Sequence, residues 1–148
     1  MAWVSLGIGS NCNPVENFTS CLDALLLQFR DMKMSCVFES AAAGSDANIR
    51  YLNMAVGFEC ELPLEELRAL LKKLEAKHGR MHDDSSKVTL DIDILTYANK
   101  SGEFAGLVLP RPEILTTAYV LWPLSQVAAQ LRHPVVKDTF ATLWKNFA

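Results

Sequence analysis

The chain has 148 residues, the usual length of one domain, of which 50% are hydrophobic and 21% charged. A domain of this size buries about 70% of the surface of its unfolded chain, so it can form a core without disulfides or metals. This composition argues against intrinsic disorder. The net charge of −3 at pH 7 argues against a dedicated nucleic-acid-binding protein, which normally has a basic excess. We expect residues 1–148 to form a single domain and a monomer.

No stretch reaches the ~18 consecutive apolar residues of a membrane helix. The apolar start, Met1 to Ile8, lacks a basic segment and runs into glycine, so it predicts a buried strand rather than a signal peptide. The cysteines include no Cys-x-x-Cys pair, and the histidines do not stand at zinc-ligand intervals. We therefore expect reduced thiols in a cytoplasmic protein that binds neither membranes nor nucleic acids.

The first part of the chain predicts a strand, a helix and a second strand. Trp3–Ile8 is an apolar run typical of a central strand. Asn13 and Pro14 then mark a helix start, as N-cap and first helical residue. The apolar stripe of this helix is Val15, Phe18, Leu22, Leu25, Leu26 and Phe29. Met34–Ser40 predicts the second strand, and Ala41–Arg50 predicts a loop because it contains the breakers Gly44, Ser45, Asp46 and Asn48.

The middle of the chain predicts a third strand, a second helix and a fourth strand. Tyr51–Glu61 alternates as a strand does. Pro63 begins the second helix, and Gly79 ends it as a left-handed C-cap. The predicted buried face of this helix is Leu64, Leu67, Leu71 and Leu74. A loop, Arg80–Lys87, precedes the strand Val88–Leu95.

The C-terminal third gives weaker signals. Pro110 and Pro112 mark a turn, and Ala118–Leu121 predicts one more strand. Pro123–Leu131 and Lys137–Phe147 predict two final helices. The order strand, helix, strand, strand, helix, strand is that of a ferredoxin-like α+β sandwich. In this fold helices cover one face of an antiparallel sheet and leave the other free for a ligand.

The fourth predicted strand contains Thr-Leu-Asp-Ile-Asp-Ile. Because side chains alternate along a strand, Asp91 and Asp93 share one face, roughly 7 Å apart at Cα, and the isoleucines share the other. Two like charges this close need compensation. Mg²⁺ binds one or two carboxylates together with water and phosphate oxygens, so we predict metal-assisted phosphoryl transfer here. The alternative is a solvated strand face that happens to contain two aspartates.

Basic, amide and aromatic side chains near this strand are candidates for ligand contacts. Arg80 and Arg111 lie in loops from which they could reach phosphates, although each could equally be a solvated surface charge. Asn53 either joins a buried hydrogen-bond network or hydrogen-bonds a polar heterocycle. Tyr51 and Tyr119 either stack on such a ring or belong to the core.

Five short motifs are distributed over most of the chain. They are Leu6–Asn11, Tyr51–Asn53, Leu74–Arg80, Thr89–Ile94 and Ala118–Leu124. Each is weak alone, but their order and spacing together resemble the 6-hydroxymethyl-7,8-dihydropterin pyrophosphokinase (HPPK) family. That family belongs to folate biosynthesis and transfers a diphosphate from ATP to a pterin alcohol.

The resemblance implies a ferredoxin-like fold, ATP as cosubstrate and two Mg²⁺ ions bridged by Asp91 and Asp93. These two residues are also the first candidates for catalysis. It further implies that Asn53 binds the pterin, which would stack between Tyr51 and Tyr119.

The resemblance also implies contacts on the nucleotide side. Arg80 would match a family arginine near the triphosphate, and we include it among the catalytic residues. Glu75 would match an acidic residue on the nucleotide side. We expect Glu75, Arg111 and Ile94 to bind the nucleotide.

The sequence departs from the family pattern in four places. Ser85–Val88 stands where members have Trp-Gly-Pro-Arg, and Arg111 stands where they have histidine. Thr117 replaces an arginine, and Phe38–Ala42 replaces the usual pterin loop. Since each charged contact to a phosphate contributes roughly 1.5–3 kcal/mol, these changes should weaken ATP binding or slow the transfer.

The sequence therefore leaves three functions open. The first is an active diphosphotransferase for the pterin alcohol. The second is a pterin-binding paralogue with weak or no kinase activity, suggested by the altered basic loops. The third is a diphosphotransferase for a related alcohol, suggested by the divergent loop Ala41–Arg50.

Overall fold

The computed structural model describes residues 1–41, 50–79 and 89–147. Its strands are β1 (Ala2–Ser10), β2 (Lys33–Met34), β3 (Phe38–Ala41), β4 (Arg50–Cys60), β5 (Asp91–Tyr97), β6 (Gly102–Phe104) and β7 (Leu107–Leu109). Its helices are α1 (Pro14–Gln28), α2 (Leu64–Lys77), α3 (Ala118–Val127) and α4 (Phe140–Lys145), with a short 3₁₀ helix at Pro112–Leu115. Most of the predicted loop 41–50 and all of the loop 80–87 lie outside the described residues.

The main sheet confirms the predicted fold class. Its path is β2-β4-β1-β5, β3 also pairs with β4, and every pairing is antiparallel. If β2 and β3 are counted as one interrupted strand, this is the strand order of the ferredoxin-like βαββαβ fold. β1 and β4 lie in the centre, and β5 is an edge strand.

The single strand predicted at Met34–Ser40 is interrupted. Met34 pairs with Val56, and Phe38 pairs with Asn53. Between these two pairings the β2–β3 segment has one residue more than β4. The Oγ of Ser35 accepts a hydrogen bond from the backbone N–H of Ala55, which supplies a contact where the ladder is broken. The interruption is a bulge-like irregularity.

Helices α1 and α2 cover one face of the sheet, as predicted. The four leucines predicted for α2 are all buried. The buried face of α1 differs from the predicted apolar stripe. Val15 is 71% and Leu26 48% exposed, whereas Cys21, which was not predicted, is buried. Residues at positions 18, 21, 25 and 29 follow the helical repeat more closely, and a small cysteine allows close contact with the sheet.

The start of α1 differs from the prediction in one detail. Pro14 is the first helical residue, as expected, but the Asn13 side chain makes no capping hydrogen bond. Asn13 has φ 45°, in the left-handed region that asparagine tolerates. The side chain of Asn17 instead donates to the carbonyl of Cys12 at 2.7 Å and fastens the helix to the preceding turn.

The predicted strand Ala118–Leu121 is wrong, because these residues form the first turn of α3. A short apolar run does not distinguish a strand from a buried helix. Leu121, Leu124 and Ala128 are buried at helical spacing and form a second core with Leu95 and Phe140. The helix predicted at Pro123–Leu131 begins and ends earlier, at Ala118 and Val127, and α4 is shorter than predicted. Because α3 packs on β4 and its neighbours, with α4 against α3, the second sheet face is only partly free.

The four cysteines are unpaired, as expected. Within residues 1–41, 50–79 and 89–147, no helix is long and apolar enough to cross a membrane.

Candidate active site

The register of three strands places the predicted ligand-binding residues in two rows on one face. Gly9 of β1 pairs with Asn53 on one side and Asp91 on the other. Gly7 pairs with Asp93 in the next row of that face. Neighbouring strands lie about 4.8 Å apart, so Asn53 and Asp91 stand roughly 10 Å apart across a glycine. We call this face, formed by Gly7, Gly9, Asn53, Asp91 and Asp93, the floor of the site. It has an amide at one end and two carboxylates at the other.

Gly9 makes room for Tyr51. A Cβ built on Gly9 would lie 2.5 Å from Cε1 of Tyr51 and 3.2 Å from Oδ1 of Asn53. Real Cβ atoms do not come this close to other atoms, so only glycine lets the Tyr51 ring lie over β1. The structure thus brings Tyr51, Asn53 and Gly9 together.

Asn53 is buried, with 7% of its surface exposed. Its Nδ2 donates a hydrogen bond to Oγ of Ser40 at 3.0 Å. The amide nitrogen of Asn53 thus takes part in a buried hydrogen-bond network, which was the first of the two interpretations. The carbonyl oxygen is directed toward Gly9, so the second interpretation, a hydrogen bond to a heterocycle, stays a prediction. That oxygen can accept hydrogen bonds from ring N–H groups.

Asp91 and Asp93 are half-buried on the same face of β5. Partial burial and the charge of Asp91 raise the pKa of Asp93 to about 7, and Arg111 acts in the opposite direction. Nη2 of Arg111 lies 2.8 Å from Oδ1 of Asp93. The pair of carboxylates therefore retains an excess of negative charge even beside one guanidinium.

This arrangement fits a divalent cation. The Arg111 guanidinium already contacts Asp93 as a positive charge. Among the described residues, there is no cluster of three or more His, Cys, Asp or Glu side chains that is suited to hold a metal ion. A pair of carboxylates without further protein ligands suits Mg²⁺, which keeps waters and takes phosphate oxygens from a substrate.

Glu75 lies at the edge of β5 that faces away from β1, rather than on the floor. It is only 4% exposed, and its Oε2 accepts a hydrogen bond from the backbone N–H of Ile92 at 2.9 Å. Lys72 is 3.9 Å away and mostly exposed. Glu75 thus holds the strand between the two aspartates in place, and the expected contact with a nucleotide stays a prediction.

Two other predicted nucleotide contacts have different outcomes. The Ile94 side chain is 3% exposed in the core under α1 and α2, opposite to the carboxylates. The prediction that it binds the nucleotide is therefore wrong for its side chain, because alternation along β5 directs it away from the floor. Arg80 lies outside the described residues.

Tyr119 is 49% exposed in the first turn of α3. Trp122 follows three residues later on the same helical face. The centroid of its ring lies 4.3 Å from that of Phe38. Phe38 pairs with Asn53, so this contact brings the Tyr119 side of α3 toward the Asn53 row. Trp122 also stacks on Trp144 of α4 at 5.1 Å, which supports α3 from behind.

Gly9 and Ser10 were not among the predicted site residues, although both belong to the motif Leu6–Asn11. Oγ of Ser10 donates to the backbone carbonyl of Thr89 at 2.6 Å, next to the start of β5. The sequence did contain a signal, because a glycine and a serine end an otherwise apolar strand, and a glycine in a strand often marks a close approach of another group. The lack of a side chain at Gly9 becomes meaningful only when the register shows its neighbours.

Comparisons with known proteins agree on one family. Residues 5–129 match the family model for 7,8-dihydro-6-hydroxymethylpterin-pyrophosphokinase. A 2-amino-4-hydroxy-6-hydroxymethyldihydropteridine pyrophosphokinase from Pseudomonas aeruginosa is 30% identical over 135 residues, covering 88% of this chain and 83% of that protein. The Bacillus subtilis protein of the same name is 29% identical over 130 residues, covering 85% of this chain and 78% of that protein.

Solved structures show the same fold. Plasmodium falciparum HPPK-DHPS wild type superposes with a TM-score of 0.74 at 12% identity, over 99% of this chain and 44% of that chain. This chain therefore spans less than half of that longer protein. Membership of the matched family supports pyrophosphate transfer to hydroxymethyldihydropterin in folate biosynthesis. The chain belongs to the 7,8-dihydro-6-hydroxymethylpterin-pyrophosphokinase family.

Proposed function

We propose that this chain transfers the diphosphate of ATP to 6-hydroxymethyl-7,8-dihydropterin with the help of Mg²⁺ held by Asp91 and Asp93. One observation carries the proposal: Asn53 and Asp91 pair with the same glycine, Gly9, from its two sides and on one face of the sheet. A flat heterocycle hydrogen-bonded to Asn53 would direct a substituent toward the carboxylates. Substrate recognition and phosphate chemistry thus meet on one floor.

The pterin end of this floor supplies binding and orientation. The oxygen of Asn53 would accept hydrogen bonds from the ring, and the Tyr51 ring, which extends over Gly9, would stack on the heterocycle. Tyr119 on α3 would contact the opposite side of the ring. Fixed orientation is the main requirement for in-line attack of an alcohol on a phosphorus atom.

The carboxylate end supplies a place for charge neutralisation. Asp91 and Asp93 would hold Mg²⁺, which when bound neutralises the charge that develops on the transferred phosphates. Arg111 would contact a phosphate through its guanidinium. Glu75 would keep β5 in position by its hydrogen bond with Ile92. Arg80 is proposed as a further phosphate contact on the strength of the sequence motif alone.

The test is formation of AMP from ATP, Mg²⁺ and the pterin alcohol. The parent should form AMP, and Asp93→Asn should lose at least about 100-fold in rate, because loss of one charged group at a phosphoryl-transfer site costs several kcal/mol. Glu59→Gln is the matched control. Glu59 is an exposed carboxylate on β4 that pairs with Trp3, at the opposite end of β1 from Gly9.

Each other outcome has a defined meaning. Pterin binding by calorimetry without AMP formation would replace the proposal by that of a pterin-binding paralogue. AMP formation only with another alcohol from a substrate panel would favour a related diphosphotransferase. Equal rates for the parent and Asp93→Asn would contradict the metal-binding role of Asp93.

A further inference from the structure

Arg111 is a cation that the chain itself holds against one of the two candidate metal ligands. Its Nη2 donates a hydrogen bond to Oδ1 of Asp93 at 2.8 Å. The Arg111 side chain is 27% exposed and that of Asp93 44% exposed, so solvent reaches both. A ligand that enters from solvent can therefore compete for either group.

The backbone of Arg111 is held by a hydrogen bond, whereas its guanidinium makes a single hydrogen bond, to Asp93, and one longer contact, to Glu113. The backbone N–H donates to the carbonyl of Leu95 at 2.9 Å, and Pro110 and Pro112 flank the residue. The guanidinium makes one hydrogen bond to Asp93 rather than the paired contact that is typical of strong arginine–carboxylate pairs. It can leave Asp93 by rotation of side-chain bonds alone.

A second carboxylate lies near the guanidinium. Nε of Arg111 is 3.8 Å from Oε2 of Glu113, at the start of the 3₁₀ helix. Glu113 is about half exposed, so the contact is weak and keeps the guanidinium near the site without trapping it. The phosphates of a nucleotide offer the planar guanidinium two oxygens at once, which is a better partner than either carboxylate.

We propose that Arg111 competes with the divalent cation for Asp93 and moves onto the nucleotide phosphates when that cation binds. A divalent cation bound to Asp93 would repel the guanidinium that contacts the same carboxylate, and it would take up the oxygen that now accepts the Arg111 hydrogen bond. The metal alone should therefore bind weakly, and metal and nucleotide should bind together. This inference rests on the proposed function, since it assumes that Asp93 is a metal ligand and that the substrate has phosphates.

The test uses Mn²⁺ as the probe, with free Mn²⁺ measured by electron paramagnetic resonance at low salt and without nucleotide. Arg111→Met should bind Mn²⁺ about two- to fivefold more tightly than the parent, the range expected for removal of one partly exposed ion pair. The same variant should bind a non-hydrolysable ATP analogue about tenfold more weakly, because a charged contact to phosphate is lost. Opposite changes in the two affinities are the signature of competition.

Two further variants separate the possible outcomes. Arg111→Lys keeps the charge and should bind Mn²⁺ within about twofold of the parent, whereas circular dichroism of Arg111→Met checks that this variant is folded. Asp93→Asn should lose Mn²⁺ binding. If Asp93→Asn loses Mn²⁺ binding but Arg111→Met does not gain it, the competition is wrong and the proposed function stands. If Asp93→Asn binds Mn²⁺ like the parent, the metal role of Asp93 is wrong and the inference falls with it.

Discussion

The ring of Tyr51 lies over Gly9, in the space that a side chain at position 9 would need. The built Cβ of Gly9 is 2.5 Å from Cε1 and 3.1 Å from the hydroxyl of Tyr51. Gly7, two residues earlier on the same face, differs, because its built Cβ meets Leu95 at an ordinary 3.4 Å. One strand thus contains two glycines of which only one is required by its neighbours.

We expect Gly9→Ala to displace Tyr51 and to weaken pterin binding about tenfold, measured by fluorescence titration. Overpacking of this kind costs about 1–3 kcal/mol, part of which the side chain can avoid by rotating away. Gly7→Ala is the control and should bind the pterin like the parent. Equal loss of affinity in both variants would show that the floor, rather than Tyr51, responds to the substitutions.

Glu75 is expected to stabilise β5 through its acceptor oxygen more than through its charge. Glu75→Leu leaves the N–H of Ile92 without its partner and should cost about 1–3 kcal/mol in the free energy of unfolding, whereas Glu75→Gln keeps an acceptor and should cost less than about 1 kcal/mol. Urea unfolding measures the difference. Hydrogen exchange at the Ile92 amide should be fast in Glu75→Leu only.

The control for this prediction is Glu66→Leu, an exposed position on the same helix. It should change the free energy of unfolding by less than about 1 kcal/mol, because it removes only an exposed charge from the first turn of α2. If Glu75→Gln were as destabilising as Glu75→Leu, the charge would matter more than the hydrogen bond. The Lys72 contact is too exposed to account for such an effect.

The strands and helices of the sheet sandwich could be predicted because their signals are local. The alternation that separates Asp91 and Asp93 from Ile92 is a property of β5 itself, and the structure retains it. The helix boundaries at Pro14 and Gly79 depend on backbone preferences of single residues. These features do not require knowledge of any distant contact.

The features that the sequence did not predict depend on contacts between distant segments. The role of Gly9 requires the register of β1 against β4, and that of Glu75 requires α2 to lie at the edge of β5. The first turn of α3 resembled a strand because Ala118–Leu121 is uniformly apolar or aromatic. Its helical form follows from packing on the second core, which a local pattern does not reveal.

A final prediction concerns acid sensitivity, and it depends on His133 between α3 and α4. This residue is 3% exposed, and its Nδ1 accepts hydrogen bonds from the backbone N–H groups of Val135 and Val136, both at 3.1 Å. Burial lowers the pKa of His133 below its ordinary value of 6.5. The unfolded chain therefore takes up a proton at higher pH than the folded chain. Protonation would also remove the lone pair that accepts both hydrogen bonds.

The stability contributed by neutral His133 is thus fully present above about pH 6.5 and is lost as the pH falls from there toward the lowered folded pKa. In urea unfolding between pH 7.5 and 5.5, the parent should lose stability relative to His133→Asn, by no more than about 1.4 kcal/mol per pH unit. Asparagine is the matched variant because its side-chain oxygen can accept the same hydrogen bonds without titrating. The comparison also removes the opposite contribution of Asp93, whose raised pKa favours the folded state at lower pH in both proteins. Parallel curves for the parent and His133→Asn would mean that His133 does not couple folding to pH.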